Sequence, residues 1–135
     1  MVGPGGTAPF TLSWHTEPAE PTNPTRDDQL IILPAGDVDL ATAPLLQTAL
    51  LTAVEQHPRV CCDLGRVTFF SAAGVSALLV AYNRAIQTGS RLTARRPHGI
   101  TRRVLHLAGL EQTLGIRTES QPRRRGDDAA QERTR

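Results

Sequence analysis

The stretch Phe69 to Val75, FFSAAGV, joins two segments of different periodicity and so limits how this part of the chain can fold. Before it, Val60, Cys61, Cys62 and Leu64 form a short apolar run that ends near Asp63. After it, Val75, Leu78, Leu79, Tyr82 and Ile86 recur at helical spacing. The local reading is strand, turn and helix N-terminus. Ser71 falls at the N-cap, where its side-chain oxygen can accept from the amides of Ala73 or Gly74 and where an anion is also favoured. Most serines at such places act only as caps.

The same alternation runs through the rest of the chain. Phe10, Leu12 and Trp14 alternate in a first strand, and a polar loop from Glu17 to Asp28 carries Pro18, Pro21 and Pro24. Leu30 to Leu33 form a second strand that Pro34 interrupts, followed by Gly36 to Pro44, GDVDLATAP. Thr42 is a good N-cap there, and Pro44 sits in a first helical turn, where a missing amide costs nothing. Leu46, Ala49, Leu50, Ala53 and Val54 give that helix its apolar stripe. The helix after Ser71 should stop near Gly89, and Arg91 to Arg95 reads as another strand. A third helix, about Gly99 to Ala108, places Ile100, Val104 and Leu107 on one side and ends at Gly109; Leu114 and Ile116 suggest a short edge strand. Residues 1–9, rich in Gly and Pro, and the charged tail 118–135 are expected to be disordered, which leaves one domain over 10–117. Strands alternating with helices and no repeat point to a single α/β domain.

Composition narrows the function. A chain of 135 residues buries roughly two-thirds of its unfolded surface, enough for a core without metals or disulfides. No segment approaches the roughly 20 apolar residues of a membrane span, and no basic-then-apolar leader opens the chain, so a soluble cytoplasmic protein is expected. Cys61 and Cys62 are adjacent on a strand and point to opposite faces, as buried thiols do. The four His residues share no motif spacing, and neither a metal nor a cofactor is implied. Net charge is +2, but residues 1–63 hold eight acids and two Arg, whereas residues 64–110 hold seven Arg and no acid. Lysine is absent, so every side-chain ammonium is replaced by a guanidinium suited to carboxylate or phosphate groups. A basic face can serve nucleic acid, but no helix-turn-helix or aromatic-interleaved basic strand appears; a solvated helix face or an acidic protein partner accounts for it as well. No nucleophile, base and orienting group fall together, and no Gly-rich phosphate loop is present, which argues against an enzyme.

Four segments in order, GDVDLATAP, VCCDL, FFSAAGV and GITRRVLHLAGLEQTLGI, resemble STAS domains of the anti-sigma factor antagonist type over about residues 10–117. The resemblance implies a single STAS-like domain with a mixed β-sheet and helices packed over it. It also implies a non-enzymatic function: binding an ATPase-fold anti-sigma kinase and so freeing a sigma factor for transcription. In that family the corresponding helix usually opens with Asp-Ser-Ser/Thr-Gly, and the partner phosphorylates the first Ser to end the interaction.

With Gly74 set on the family's Gly, Ser71 takes the Asp position, Ala72 the phospho-acceptor and Ala73 the following hydroxyl. Alanine has no oxygen to esterify, so under this alignment the usual switch is missing. A shift by one residue makes Ser71 the acceptor, but sets the phosphate farther from Gly74 and the first helical turn. A phosphate adds roughly −1.5 to −2 charge, which an apolar interface cannot accommodate. Asp39 matches the acid of the family's Gly-x-x-Asp segment and also suits a turn carboxylate capping the helix near Thr42; Asp63 reads as structural. The implied partner-binding set is Asp39, Ser71, Ala72, Ala73, Gly74 and Val75, with the exposed side of the Val75 to Ile86 helix. The other reading is a scaffold or sensory STAS module that forms a homo-oligomer or binds a small molecule.

Overall fold

The computed structural model describes residues 9–18 and 28–116. The expected disorder of residues 1–8 and of the tail, and residues 19–27 of the polar loop, lie outside them. Eight elements follow in order: β1 (Thr11–Pro18), β2 (Asp28–Val38), α1 (Ala43–Gln56), β3 (Arg59–Asp63), β4 (Arg66–Phe70), α2 (Ala72–Thr88), β5 (Arg91–Arg95) and α3 (Gly99–Leu107). The sheet is mixed and ordered β1-β2-β3-β5, with β4 also paired to β2. The long strand β2 is its organiser: β1 runs antiparallel along one side, while β3 and then β4 run parallel along the other. This is a single α/β domain, as the alternation of periodicities predicts.

Pro34 does not interrupt β2. It pairs opposite Leu12 of β1 and falls between the last β3 pairing, Ile32 with Cys62, and the first β4 pairing, Ala35 with Arg66. No residue of β3 or β4 is registered against it, so a missing amide donor is tolerated there. Glu17, expected in the loop, belongs to β1. Strand β4 is the element that the sequence reading lacks, since the run from Val60 to Phe70 holds two strands rather than one strand and a turn. The chain breaks between them at Gly65, whose amide donates to Asp63 Oδ1 at 2.9 Å.

All three helices pack against one face of the sheet. There Leu30, Ile32, Val60, Cys62, Val67, Phe70 and Leu92 meet Leu46, Leu50, Ala77, Leu78, Ala81 and Leu105. Ile31, Leu33 and Cys61 form a second, smaller cluster that contains strand residues only. The two adjacent cysteines therefore point to opposite faces, as strand geometry requires, and burial pushes both thiols up from their ordinary pKa.

Two helix faces differ from expectation. In α2 the buried positions are Gly74, Ala77, Leu78, Ala81 and Ala85, while Leu79 and Ile86 turn outward. Small side chains, together with Leu78, let α2 approach α1 and the sheet closely, while Leu79, Val80 and Ile86 are left on the solvent side. In α3 the buried residues are Thr101 and Leu105, and Ile100 and Leu107 are exposed. Leu114 and Ile116 are buried but lie in a turn segment rather than a strand, with Leu114 C=O accepting from the Ala94 amide at 2.9 Å on the outer edge of β5. Gly89, with φ of 79°, closes α2 at the expected place.

On the face without helices, one side chain links the two edges of the sheet. Arg95 of β5 donates from Nε to Asp63 Oδ2 at 2.9 Å and from its terminal nitrogens to both Glu17 oxygens of β1, at 3.1 and 2.9 Å. Arg96 donates to Asp63 Oδ1 at 3.1 Å. Asp63 is fully buried; burial alone would raise its pKa, but the Gly65 amide, Arg96 and Arg95 together hold it below the ordinary value. Hydrogen bonds from Arg95 and His15 hold Glu17 down at about 2.

Both carboxyls have depressed folded-state values, so they stabilise the fold above the ordinary carboxylate range, and that contribution is lost as pH falls through the folded-state values. Urea titrations from neutral pH down toward pH about 3 should therefore show an acid-induced loss of stability in the native chain and a distinctly smaller loss in Arg95→Met. An equal loss in both would show that this network does not govern acid stability.

Candidate functional site

The turn at Ser71 is built by β2 and β4 together. Val38 and Phe70 are paired at the ends of these strands, and the Ser71 amide donates to Val38 C=O at 2.9 Å. Ser71 is the N-cap of α2, in extended conformation, with its Oγ accepting from the Ala73 amide at 3.2 Å. Its carbonyl accepts from the amides of Gly74 and Val75 at 2.9 and 3.2 Å. The expected cap is therefore formed, and it occupies the Ser71 oxygen as an acceptor.

Gly74 fixes how near the helix starts to the sheet. A Cβ on Gly74 would stand 2.7 Å from Phe70 Cζ and 2.9 Å from Val38 Cγ1, distances that real Cβ atoms do not reach. Only a residue without a side chain lets the first turn of α2 lie on that ring. Ala73 and Val75 are half-buried against the core, so of the turn residues Ala72 alone is fully turned to solvent.

Asp39 lies beside this turn because it follows Val38. Its Oδ1 accepts from the amides of Ala41 and Thr42, both at 3.0 Å, and its own amide donates to Thr42 Oγ1 at 2.9 Å. Hydrogen bonds from Thr42, opposed by partial burial, hold its pKa below the ordinary value. Thr42 is the N-cap residue of α1, but its hydroxyl makes no cap bond; it donates instead to Asp37 C=O at 2.7 Å. The Asp39 carboxylate closes the turn just before α1, and the Asp39 C=O accepts from the first helical amide, that of Ala43, at 2.8 Å. Pro44 sits in the first turn of α1 as expected.

Along α2 beyond Ala72 the exposed face is apolar and uncharged as far as Asn83, with the Asp39 carboxylate beside its start. Ser76, Leu79, Val80 and Asn83 continue its exposed face at helical spacing, and no charged residue occurs between Val67 and Asn83. Leu40, two residues past Val38, is 82% exposed, and Phe69 is exposed on the last turn of chain before Ser71. Leu40 and Phe69 were absent from the sequence-derived site, whereas Val80 falls on the exposed helix side that it included. The alanines at 77, 81 and 85, spaced four apart, are the signal that marks the opposite face of α2 as buried. Among the described residues, no group of His, Cys, Asp and Glu is arranged to hold a metal, and no helix is long and apolar enough to cross a membrane.

With this geometry in hand, the comparisons with known proteins are consistent. The family model for the Mlab, STAS domain matches residues 25–118, and the chain belongs to the STAS domain family. An anti-sigma factor antagonist from Mycobacterium paratuberculosis is similar at 29% identity and TM-score 0.60, over 84% of this chain and 92% of that one. SpoIIAA in its unphosphorylated form is similar in fold at 20% identity and TM-score 0.59, over 80% and 90% of the two chains. The Bacillus cell fate determinant SpoIIAA in the phosphorylated form gives 20% identity and TM-score 0.55, over 80% and 94%. No curated protein matches significantly.

Two substitutions separate the supports of the turn. Ser71→Ala removes the cap acceptor and should cost about 1 kcal/mol in a denaturant titration. Gly74→Ala forces a methyl group into Phe70 and should cost about 1–3 kcal/mol despite alanine's better helix propensity; an unchanged midpoint would mean that the helix start can shift freely.

Proposed function

We propose that this chain is an anti-sigma factor antagonist that binds an ATPase-fold anti-sigma factor in the cytoplasm, frees a sigma factor for transcription, and does so without the phosphorylation switch of its relatives. The observation that carries this reading is the exposed Ala72 at the first position of α2, beside the Ser71 cap and the buried Gly74. Gly74 supports the alignment physically, since the close approach to Phe70 and Val38 requires glycine at that one place. The likeness to the mycobacterial antagonist supports the role.

The docking surface is the Ala72 corner. Asp39 and Ser71 shape it, Ala73, Gly74 and Val75 anchor it from beneath, and Leu79 and Val80 extend it along α2. Binding alone performs the function: the partner is occupied, and no bond of the antagonist is made or broken. Because the alanine side chain offers no hydroxyl, kinase activity in the partner does not end the interaction.

The test uses the anti-sigma factor recovered from the native host. Ala72→Glu, which places a charge on the apolar corner, should weaken its capture by about tenfold or more. The double variant Ser71→Asp with Ala72→Ser should become labelled by a kinase-active partner with ATP, whereas the native chain stays unlabelled. Phosphate found on Ser71 of the native chain would refute the switch-free reading, and undiminished capture of Ala72→Glu would move the interface elsewhere.

A further inference from the structure

The helical layer stops short of the sheet's antiparallel edge. Strand β1 makes its main contacts with β2, and no helix packs over it as α1 packs over β2 and β3. A cavity of about 560 Å³ is left between α1 and that edge. Its floor is formed by Leu30 and Ile32 of β2 with Ala49 and Ala53 of α1, and the indole of Trp14, 67% exposed, stands as the wall on β1. Cavities of roughly 300–1,000 Å³ are of the size that small molecules occupy.

The lining says which chemistry fits. No Asp, Glu or Arg belongs to it, and His57 is its one titratable group. Glu17 and Glu55, adjacent in sequence to the lining residues Thr16 and Gln56, are engaged by Arg95 and Arg84. Asp28, one step before Leu30 on the same face of β2, lies outside the lining. A charged ligand would therefore give up water without gaining a counter-charge. The indole favours a flat ring, which stacks on its face. Thr16, Thr52 and Gln56 add polar groups to the lining, and among the described residues none of these three side chains has a hydrogen-bond partner. The Gln56 amide offers both donors and an acceptor.

We infer that this cavity binds an uncharged small molecule with a flat aromatic ring and a hydrogen-bonding edge. The ring lies against Trp14, and the edge reaches Gln56 and the threonine hydroxyls. The site is separate from the Ala72 corner: Asp39 and Thr42 stand at the start of α1, whereas Ala49, Thr52, Ala53 and Gln56 run from its middle to its end. Binding here does not depend on the docking role proposed for that corner.

Naphthalene carboxamide, an uncharged aromatic amide, is the probe. Titration calorimetry of the full chain should show one saturable site with a Kd of about 0.1 mM, in keeping with a ligand of so few atoms. Naphthoate, which carries a charge on the same ring, should bind about tenfold or more weaker, and so should the fully hydrogenated amide, about tenfold, because it cannot stack. Trp14→Ala should weaken binding of the aromatic amide about tenfold and Gln56→Ala about threefold, with circular dichroism confirming the fold. Leu107→Glu on α3, which contributes nothing to the cavity, should bind like the native chain.

Trp14 is the one tryptophan of the chain, so its fluorescence reports on the cavity directly. Acrylamide should quench it freely in the protein alone and less when the amide is bound. An indole already shielded in the protein alone would overturn the inference, since the chain itself would then fill the space. Absence of saturable binding at millimolar amide, naphthoate binding as tightly as the amide, or undiminished binding by well-folded Trp14→Ala and Gln56→Ala would overturn it equally.

Discussion

The packing of the first turn of α2 directly on the Phe70 ring and Val38 is the contact from which the arrangement of the candidate site follows. It exists because Gly74 has no side chain. Once that turn is seated, the Ser71 amide reaches Val38, its oxygen caps Ala73, and the small residues Ala77, Ala81 and Ala85 continue the close approach along the helix. Of the larger side chains of α2, Leu78 is fully buried on that side, while Leu79, Val80 and Ile86 are left to solvent. The apolar outer face is therefore the counterpart of a tightly packed inner one.

Much of this was legible in the sequence. The Ser71 cap, the stop at Gly89, the opposite orientations of Cys61 and Cys62, and the α/β alternation rest on local rules of spacing and capping, and the structure shows each of them. The misreadings share a cause. Large apolar residues at helical spacing were taken to mark the buried faces, which fails where a helix packs through alanine, as in α2, or where one leucine carries the contact, as Leu105 does in α3. Strand β4 was hidden because its apolar residues run on from β3, and the turn between them is made by a buried carboxylate and Gly65 rather than by a strong turn sequence. The tolerance of Pro34 depends on the partner strand changing there, which a single strand's sequence does not reveal.

Charge is distributed unevenly in sequence but is partly reconciled in space. The acidic first half and the Arg-rich second half meet where Arg95 and Arg96 close on Asp63 and Glu17. Glu55 and Arg84 likewise join α1 to α2 at 3.3 Å. The polarity read from the sequence is thus in part a record of which strands and helices come to lie together.

Ser71 and Gly74 hold the start of α2 through a lone pair and an absent side chain, while Ala72, between them, bears on neither support. A regulatory hydroxyl at that position would be detachable from the architecture: it could be gained or lost by one substitution with little effect on the helix it decorates. On the docking role proposed above, the residues that seat the helix and the residue that would carry a switch are separate, so that a switch could be added or removed without rebuilding the corner that holds it.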